Sequence, residues 1–316
     1  MDYIFCARNI RGGAFGDDPG ATRYLEVPAA ALIPNPGHGI TRRDWFDRVT
    51  AEAEVQTNPV SGKPVGDVLI YIHGFNTSQA VVLERHRAIR KGLEGHGFKG
   101  VVVSFDWPAA DFALNYLDDR IDAKLTAIRL VTDGIAPLSR IIQQGCEISV
   151  HVLAHSMGAY VLREAMDDAD DRRRVAATSW SVSQIMICSG DISADSMGTA
   201  KSSDSLYRHC VRLTNYSNPY DAVLSISNAK RVGVSPRVGR IGLPDSAPAK
   251  AVNVDVGLYY DAHREEFAAV PNSDHSFYFY SPVLLEDVLF TIRGEIDRAS
   301  IPTRLLDGRG KLHLRP

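Results

Sequence analysis

The near-continuous apolar run Val68–Ile72, with the strand-like runs Val101–Phe105 and Ile148–Ala154 that follow it, restricts the folds open to this chain more than any other feature. A strand with one face in water alternates apolar and polar residues. A strand apolar at every position is buried on both faces, which happens in parallel sheets covered by helices. Helical stretches follow these runs, from about Ser78 to Leu93, about Asn115 to Gln144 with an interruption near Pro137, and Met157–Met166. Ser183–Cys188, Cys210–Leu213 and Val252–Val256 read as further strands, and a last helix runs from Pro282, proline in its first turn, to about Ile296. This alternation predicts βαβ crossovers, hence an α/β fold with a mostly parallel, doubly wound sheet flanked by helices.

Ahead of Asp67 the pattern predicts strands at Tyr3–Ala7 and Thr22–Val27 around a loop at Gly12–Gly20. A helix should open at Thr41, a capping hydroxyl with Asp44 three residues on, and a loop should cover Asn58–Pro64. No repeat or low-complexity linker marks a boundary. The expectation is one domain over residues 1–316: extra strands and a helix in 1–66, a core in 67–297 and a C-terminal tail in 298–316.

The 35 Lys+Arg against 38 Asp+Glu leave a formal charge of −3, without the basic footprint that nucleic acid demands. No apolar run reaches the length of a membrane span. Asp2 stands where a secretory signal wants basic residues, and Arg8-Asn9 follow at once, so a cytoplasmic location is expected. Cys6, Cys146, Cys188 and Cys210 lack CxxC spacing and are expected as reduced thiols. No HExxH, Walker or GxGxxG signature is present, so neither metal nor diffusible cofactor is expected. Oligomeric state is not legible.

Ala154-His155-Ser156-Met157-Gly158 stands where a buried strand passes into a helix. A serine on so sharp a turn lifts its hydroxyl above the carboxyl edge of the sheet, and small flanking residues avoid clashes; Ala154 replaces the usual first glycine. The competing structural role is a plain helix cap. Upstream, Val68–Ile72 ends in His73-Gly74-Phe75-Asn76-Thr77. Acyl transfer needs two N–H donors aimed at the developing oxyanion, here from Met157 and from Phe75 (or Asn76), with Gly74 allowing close approach. His73 reads as a tether for this loop, not as a base.

In such a fold the acid and the histidine follow the serine along the chain. Asp221 is preferred as the acid, with Asp191 as rival. Of the histidines beyond it, His275 in Asn272-Ser-Asp-His-Ser-Phe-Tyr278 is preferred over His263 and His313. Trp107, Phe112, Tyr116, Tyr216 and Tyr220 are candidates to line an acyl pocket, with Gly74, Asn76, Trp107 and Tyr220 the substrate-contacting set. A lid within Pro108–Ile135 stays open against a sheet-covering helix.

His73-Gly-Phe-Asn-Thr77, Ser104-Phe-Asp-Trp-Pro108, Tyr116-Leu-Asp-Asp119, His151-Val-Leu-Ala-His-Ser-Met-Gly158, Ser189-Gly-Asp-Ile192 and His275-Ser-Phe-Tyr278 together resemble bacterial α/β-hydrolases grouped as a family of unknown function. The resemblance spans roughly Asp67 to Arg293. At Cys188-Ser189-Gly190 the chain departs from members with Ala-Pro in that place. The resemblance implies the α/β-hydrolase fold and a Ser156–Asp221–His275 triad. The function expected is cleavage of a small-molecule carboxylic ester with a small or medium acyl group. Acyl transfer through the same triad, and a non-catalytic binding protein on this fold, remain the alternatives.

Overall fold

The computed structural model describes residues 1–54, 56–109, 124–143, 147–229 and 235–316. Phe112, the Tyr116-Leu-Asp-Asp119 stretch, the first part of the expected long helix and Cys146 lie outside them. Among the described residues twelve strands join in one sheet. These are β1 (Asp2–Arg11), β2 (Ala14–Val27), β3 (Gly39–Ile40), β4 (Gln56–Thr57), β5 (Pro64–Ile72), β6 (Val101–Asp106), β7 (Glu147–His155), β8 (Val182–Cys188), β9 (Cys210–Ser217), β10 (Ala251–Asp255), β11 (Arg304–Leu306) and β12 (Leu312–Leu314). The main helices are α1 (Arg42–Ala53), α2 (Gln79–Gly95), α3 (Ala136–Gln143), α4 (Met157–Asp171) and α5 (Pro282–Arg293).

Side chains alternate across a strand, so β5 divides the core in two. Val68, Ile70 and Ile72 pack with Trp45 and Phe46 of α1 and with Val161 and Leu162 of α4. Leu69 and Tyr71 pack on the other face with Ile89 and Leu93 of α2 and Val288 of α5. Helices on both faces are what the continuous apolar runs require.

The order β11-β12-β10-β9-β8-β7-β5-β6-β1-β2-β3 is parallel from β12 to β1, with antiparallel strands at both edges. From β5 the chain crosses to β6 on one side and then to β7 on the other. The winding reverses between β5 and β7, and the crevice beyond their carboxyl ends is where such sheets bind ligands. The segments leaving these strands begin at His73 and at Ser156.

Local chemistry sets the helix ends. Thr41 Oγ1 accepts the Asp44 N–H at 3.1 Å, and Ser281 Oγ accepts the Leu284 N–H at 3.1 Å. Ahead of α3 the turn Leu130–Ile135 widens, the Ala136 N–H reaching back to the Val131 carbonyl. Pro137 has no N–H for the Asp133 carbonyl four residues back. The Tyr24 hydroxyl donates to that carbonyl at 2.9 Å instead. Leu130, Val131 and Ile135 are buried, so this part of the suspected lid segment is a sheet-covering helix.

Two expectations are corrected. Most of the loop assigned to Gly12–Gly20 is strand: Gly12 and Gly13, both at positive φ, form a two-residue turn that lays β2 back on β1, pairing Arg11 with Ala14. The tail assigned to 298–316 supplies β11 and β12, and β12 extends the sheet beside β10. The Arg304 guanidinium, fully buried, grips the equally buried Asp287 carboxylate of α5 at 2.7 and 2.8 Å. Basic composition suggested a solvated end, whereas this arginine is an internal fastener. Among the described residues no helix is long and apolar enough to cross a membrane.

Candidate active site

Ser156 sits between β7 and α4 at φ 55°, ψ −123°, a region that side-chain-bearing residues adopt only when their surroundings force them. The forcing contacts are visible. The Ser156 N–H donates to the Cys188 carbonyl at 3.0 Å, and the Ser156 carbonyl accepts N–H groups of Asp191 and Ala159 at 3.0 and 3.1 Å. The side chain makes no cap bond to its helix, so the helix-cap role does not account for the serine.

The segment after β5 closes over this elbow. A Cβ on Gly74 would lie 2.8 Å from the Ser156 Cβ, and one on Gly158 would lie 2.5 Å from the Ile72 carbonyl oxygen, which is why glycine stands at both. Phe75 is half-buried and Asn76, at φ 50°, is exposed. Met157 opens α4, where backbone N–H groups have no partner within the helix. Gly74→Ala should therefore cost about 1–3 kcal/mol by overpacking. Denaturant unfolding measures it, and an unchanged midpoint would mean the two segments are not in contact.

His73 is the tether the sequence suggested. Its Nδ1–H donates to the Gly74 carbonyl at 2.9 Å, leaving Nε2 to accept the Trp107 N–H at 3.2 Å. The Trp107 indole N–H donates to the His73 carbonyl at 2.9 Å, and the two rings stack at 5.3 Å. Trp107 has no exposed surface. It braces the segment from beneath, which corrects its assignment to the substrate-contacting set. Tyr216 is also enclosed, its hydroxyl donating to Asp287 at 2.7 Å. Tyr220 is 44% exposed, with the Arg264 guanidinium over its ring.

Beneath Trp107 lies a buried ion pair that the sequence did not reveal, Arg8 Nε to Asp106 Oδ1 at 2.8 Å. Arg8 also donates to the Thr77 carbonyl at 3.3 Å, so β1 holds the far end of the segment. Burial alone would raise the Asp106 carboxyl; the Arg8 guanidinium and His73 together outweigh burial and hold it far below the usual carboxylate range.

Asp221 and His275, 54 residues apart, meet at 2.7 Å between Oδ2 and Nδ1. An ionised carboxylate only accepts, so Nδ1 carries the proton and Nε2 is left as the acceptor. Two hydrogen bonds fasten the two loops together: Asn218 Nδ2 donates to the Asp274 carbonyl, and the Ala222 N–H to the Asp274 carboxylate, each at 2.7 Å. The rivals are engaged elsewhere. Asp191 pairs with Arg237 at 2.8 Å, His263 stacks on Tyr259 at 4.3 Å, and His313 faces Asp307 at 3.2 Å.

Three further residues escaped the sequence reading. Ser189 Oγ lies 2.6 Å from Asp221 Oδ2 and 2.9 Å from the Tyr278 hydroxyl. His155, beside Ser156, donates from Nε2 to the His275 carbonyl at 2.7 Å, with its ring 4.7 Å from the His275 ring. Burial first, and repulsion by His275 second, push the His155 imidazole well below its ordinary value. It stays neutral and holds the His275 backbone.

Burial likewise lowers His73, outweighing the opposing pull of the Asp106 charge nearby, and takes His86 down to about 4. Groups with depressed folded-state values stay unprotonated in the native state while the unfolded chain protonates near pH 6.5. Their contribution to stability is thus full above about pH 6.5 and falls with acidification, by about 1.4 kcal/mol per pH unit for each such histidine. Urea midpoints measured from pH 7 to pH 4 should fall steeply; a flat profile would contradict these environments.

A family profile described as alpha/beta hydrolase of unknown function (DUF900) matches residues 48–277. No curated protein sequence matches at a significant level. A crystal structure from Lactobacillus plantarum WCFS1, assigned provisionally as a cell surface hydrolase, is 11% identical over 72% of this chain and 90% of its own. Its TM-score of 0.36 is too low to carry an inference. With about three-quarters of its length inside the family profile, and a mostly parallel sheet flanked by helices, the chain belongs to the alpha/beta hydrolases of unknown function.

Proposed function

We propose that the protein is a serine hydrolase that cleaves carboxylic esters with small or medium acyl groups. The observation that carries this reading is the 2.7 Å Asp221–His275 bond, with the His275 backbone held by His155, the residue next to a serine at φ 55°. In this reading His275 Nε2 takes the proton of Ser156 Oγ as the oxygen attacks the ester carbonyl. Asp221 stabilises the imidazolium without taking its proton. Backbone N–H groups of Met157 and Phe75 hold the tetrahedral oxyanion, an effect worth about 3 kcal/mol per donor in related chemistry. The imidazolium protonates the departing alcohol; water, deprotonated by the same imidazole, then releases the acid. Every step uses side chains or backbone of this chain alone. Three buried cysteines, Cys6, Cys188 and Cys210, are free thiols, which supports the cytoplasm as the working compartment.

A series of nitrophenyl esters of rising chain length, assayed with and without a competing alcohol or amine, tests the proposal. Free acid should dominate the products, with the highest kcat/KM at short or medium chains. Ester or amide product in place of acid would mean an acyltransferase, and no turnover with any ester would favour the binding-protein alternative.

A further inference from the structure

We propose that Ser189 and Tyr278 form a hydroxyl relay that ends on Asp221 and sets how tightly its carboxylate holds the His275 ring. The inference rests on the triad reading and extends it to two positioning residues that touch neither the substrate nor the reacting atoms.

The proton directions follow from counting. Ser189 has one proton and Asp221 Oδ2 can only accept, so at 2.6 Å the Ser189 hydroxyl donates to Asp221. The 2.9 Å contact with Tyr278 then runs the other way, the phenol donating to Ser189 Oγ. Asp221 and Ser189 are fully enclosed and Tyr278 is 1% exposed, so water does not compete. Burial, and then the Asp221 charge, push the Tyr278 phenol well above its ordinary value, so it remains a donor at every working pH. Ser189 is held at φ 46°, its N–H on the Tyr216 carbonyl, which aims the hydroxyl at the carboxylate.

Among the described residues the Asp221 carboxylate thus receives three donors: Ser189 and His275 on Oδ2, and the Leu224 N–H on Oδ1 at 2.9 Å. A buried carboxylate spreads its charge over all of them. With the serine bond gone, more of that charge falls on the His275 Nδ1–H, which raises the proton affinity of the ring, while the carboxylate loses one of the contacts that fix its orientation toward that ring. The other groups facing this pair are fixed. His155 from the elbow is neutral, Asp274 in the same turn as His275 is occupied by the Ala222 N–H, and Arg85 of α2 donates to Ser276 at 3.2 Å. Cys188 and Asp255 face Tyr278, and both of them favour the protonated phenol.

The test compares the full chain with Ser189→Ala, Tyr278→Phe and the double variant. The first should lower kcat about tenfold with KM unchanged, because the carboxylate loses the anchor that keeps the His275 ring in the attacking orientation. The acid limb of its pH–rate profile should move up by about half a pH unit. Tyr278→Phe, which keeps the ring volume, should cost about threefold, and the double variant should match Ser189→Ala because the phenol acts only through the serine. Additive losses, or an acid limb that stays in place, would overturn the relay. The His275 Nδ1 proton resonance supplies a readout independent of turnover, and it should shift in both single variants. An inert wild type would sink the triad reading, while the resonance would still decide for or against the relay.

Discussion

Ser156→Ala is expected to lower ester turnover by about 10⁴-fold or more, leaving only the residual rate that oxyanion donors and binding supply. The argument is chemical. In the proposed mechanism no acyl-enzyme forms without Oγ, and the imidazole paired with Asp221 loses the hydroxyl it would deprotonate. The substitution keeps the Cβ and the backbone, so circular dichroism and the urea midpoint should stay close to wild type. A companion variant separates strain from chemistry. At φ 55°, ψ −123° any side chain is strained, so Ser156→Gly should raise stability by about 1 kcal/mol while being equally inactive. Turnover within tenfold of wild type in either variant would mean the chemistry resides elsewhere.

Arg304→Ala should destabilise the protein by about 3–5 kcal/mol, the usual cost of leaving one member of a buried ion pair without its partner. Here the abandoned group would be the Asp287 carboxylate, fully buried, with the Tyr216 and Thr303 hydroxyls, among the described residues, left to it at 2.7 and 2.6 Å. Those two bonds do not neutralise a charge. Arg304 also donates to the Arg298 carbonyl and to Thr291 Oγ1, so its loss loosens the hold of α5 on the segment that carries β11 and β12, leaving the Thr303 bond. Asp287→Ala should be similarly severe, and replacing both residues with apolar ones of like volume should cost less than either single change. Denaturant unfolding reads all three. A loss under 1 kcal/mol for Arg304→Ala would show that the last strands are not fastened in this way.

The arginine illustrates where sequence reading stops. The centre of the sheet was legible because Val68–Ile72 is apolar throughout and Val101–Phe105 and Ile148–Ala154 are mostly so, and burial on both faces leaves few other folds. Arg304 lies in a basic, glycine-bearing stretch, and nothing in its neighbours announces a carboxylate 17 residues earlier on a helix face. Arg8 and Asp106 are a second case, 98 residues apart and brought together by the pairing of β1 with β6. Gly12-Gly13 was legible in principle as a two-residue turn, but Asp17-Asp18-Pro19-Gly20 masked it with loop-like composition.

The candidate site divides along the same line. Ser156 announced itself by its place between a buried strand and a helix. Asp221 and His275 followed from chain order, and the fold brings them within 2.7 Å of each other. Ser189, Tyr278 and His155 were all inside quoted motifs, yet a motif does not say which way a hydroxyl or ring points. Their roles depend on contacts between β8, the loop beyond β9 and the turn at 272–278, which no local spacing encodes. Trp107 failed for the opposite reason: its position at a strand end suggested the pocket, whereas a free indole N–H and the His73 carbonyl drew it under the segment.

Labelling by a fluorophosphonate, followed by mass analysis of the modified peptide, tests most directly whether Ser156 is an activated nucleophile. One phosphonyl group should appear on Ser156 of the folded wild type, slowly or not at all in His275→Ala, and never in Ser156→Ala. Equal labelling of wild type and Ser156→Ala, or an adduct on another residue, would contradict the account.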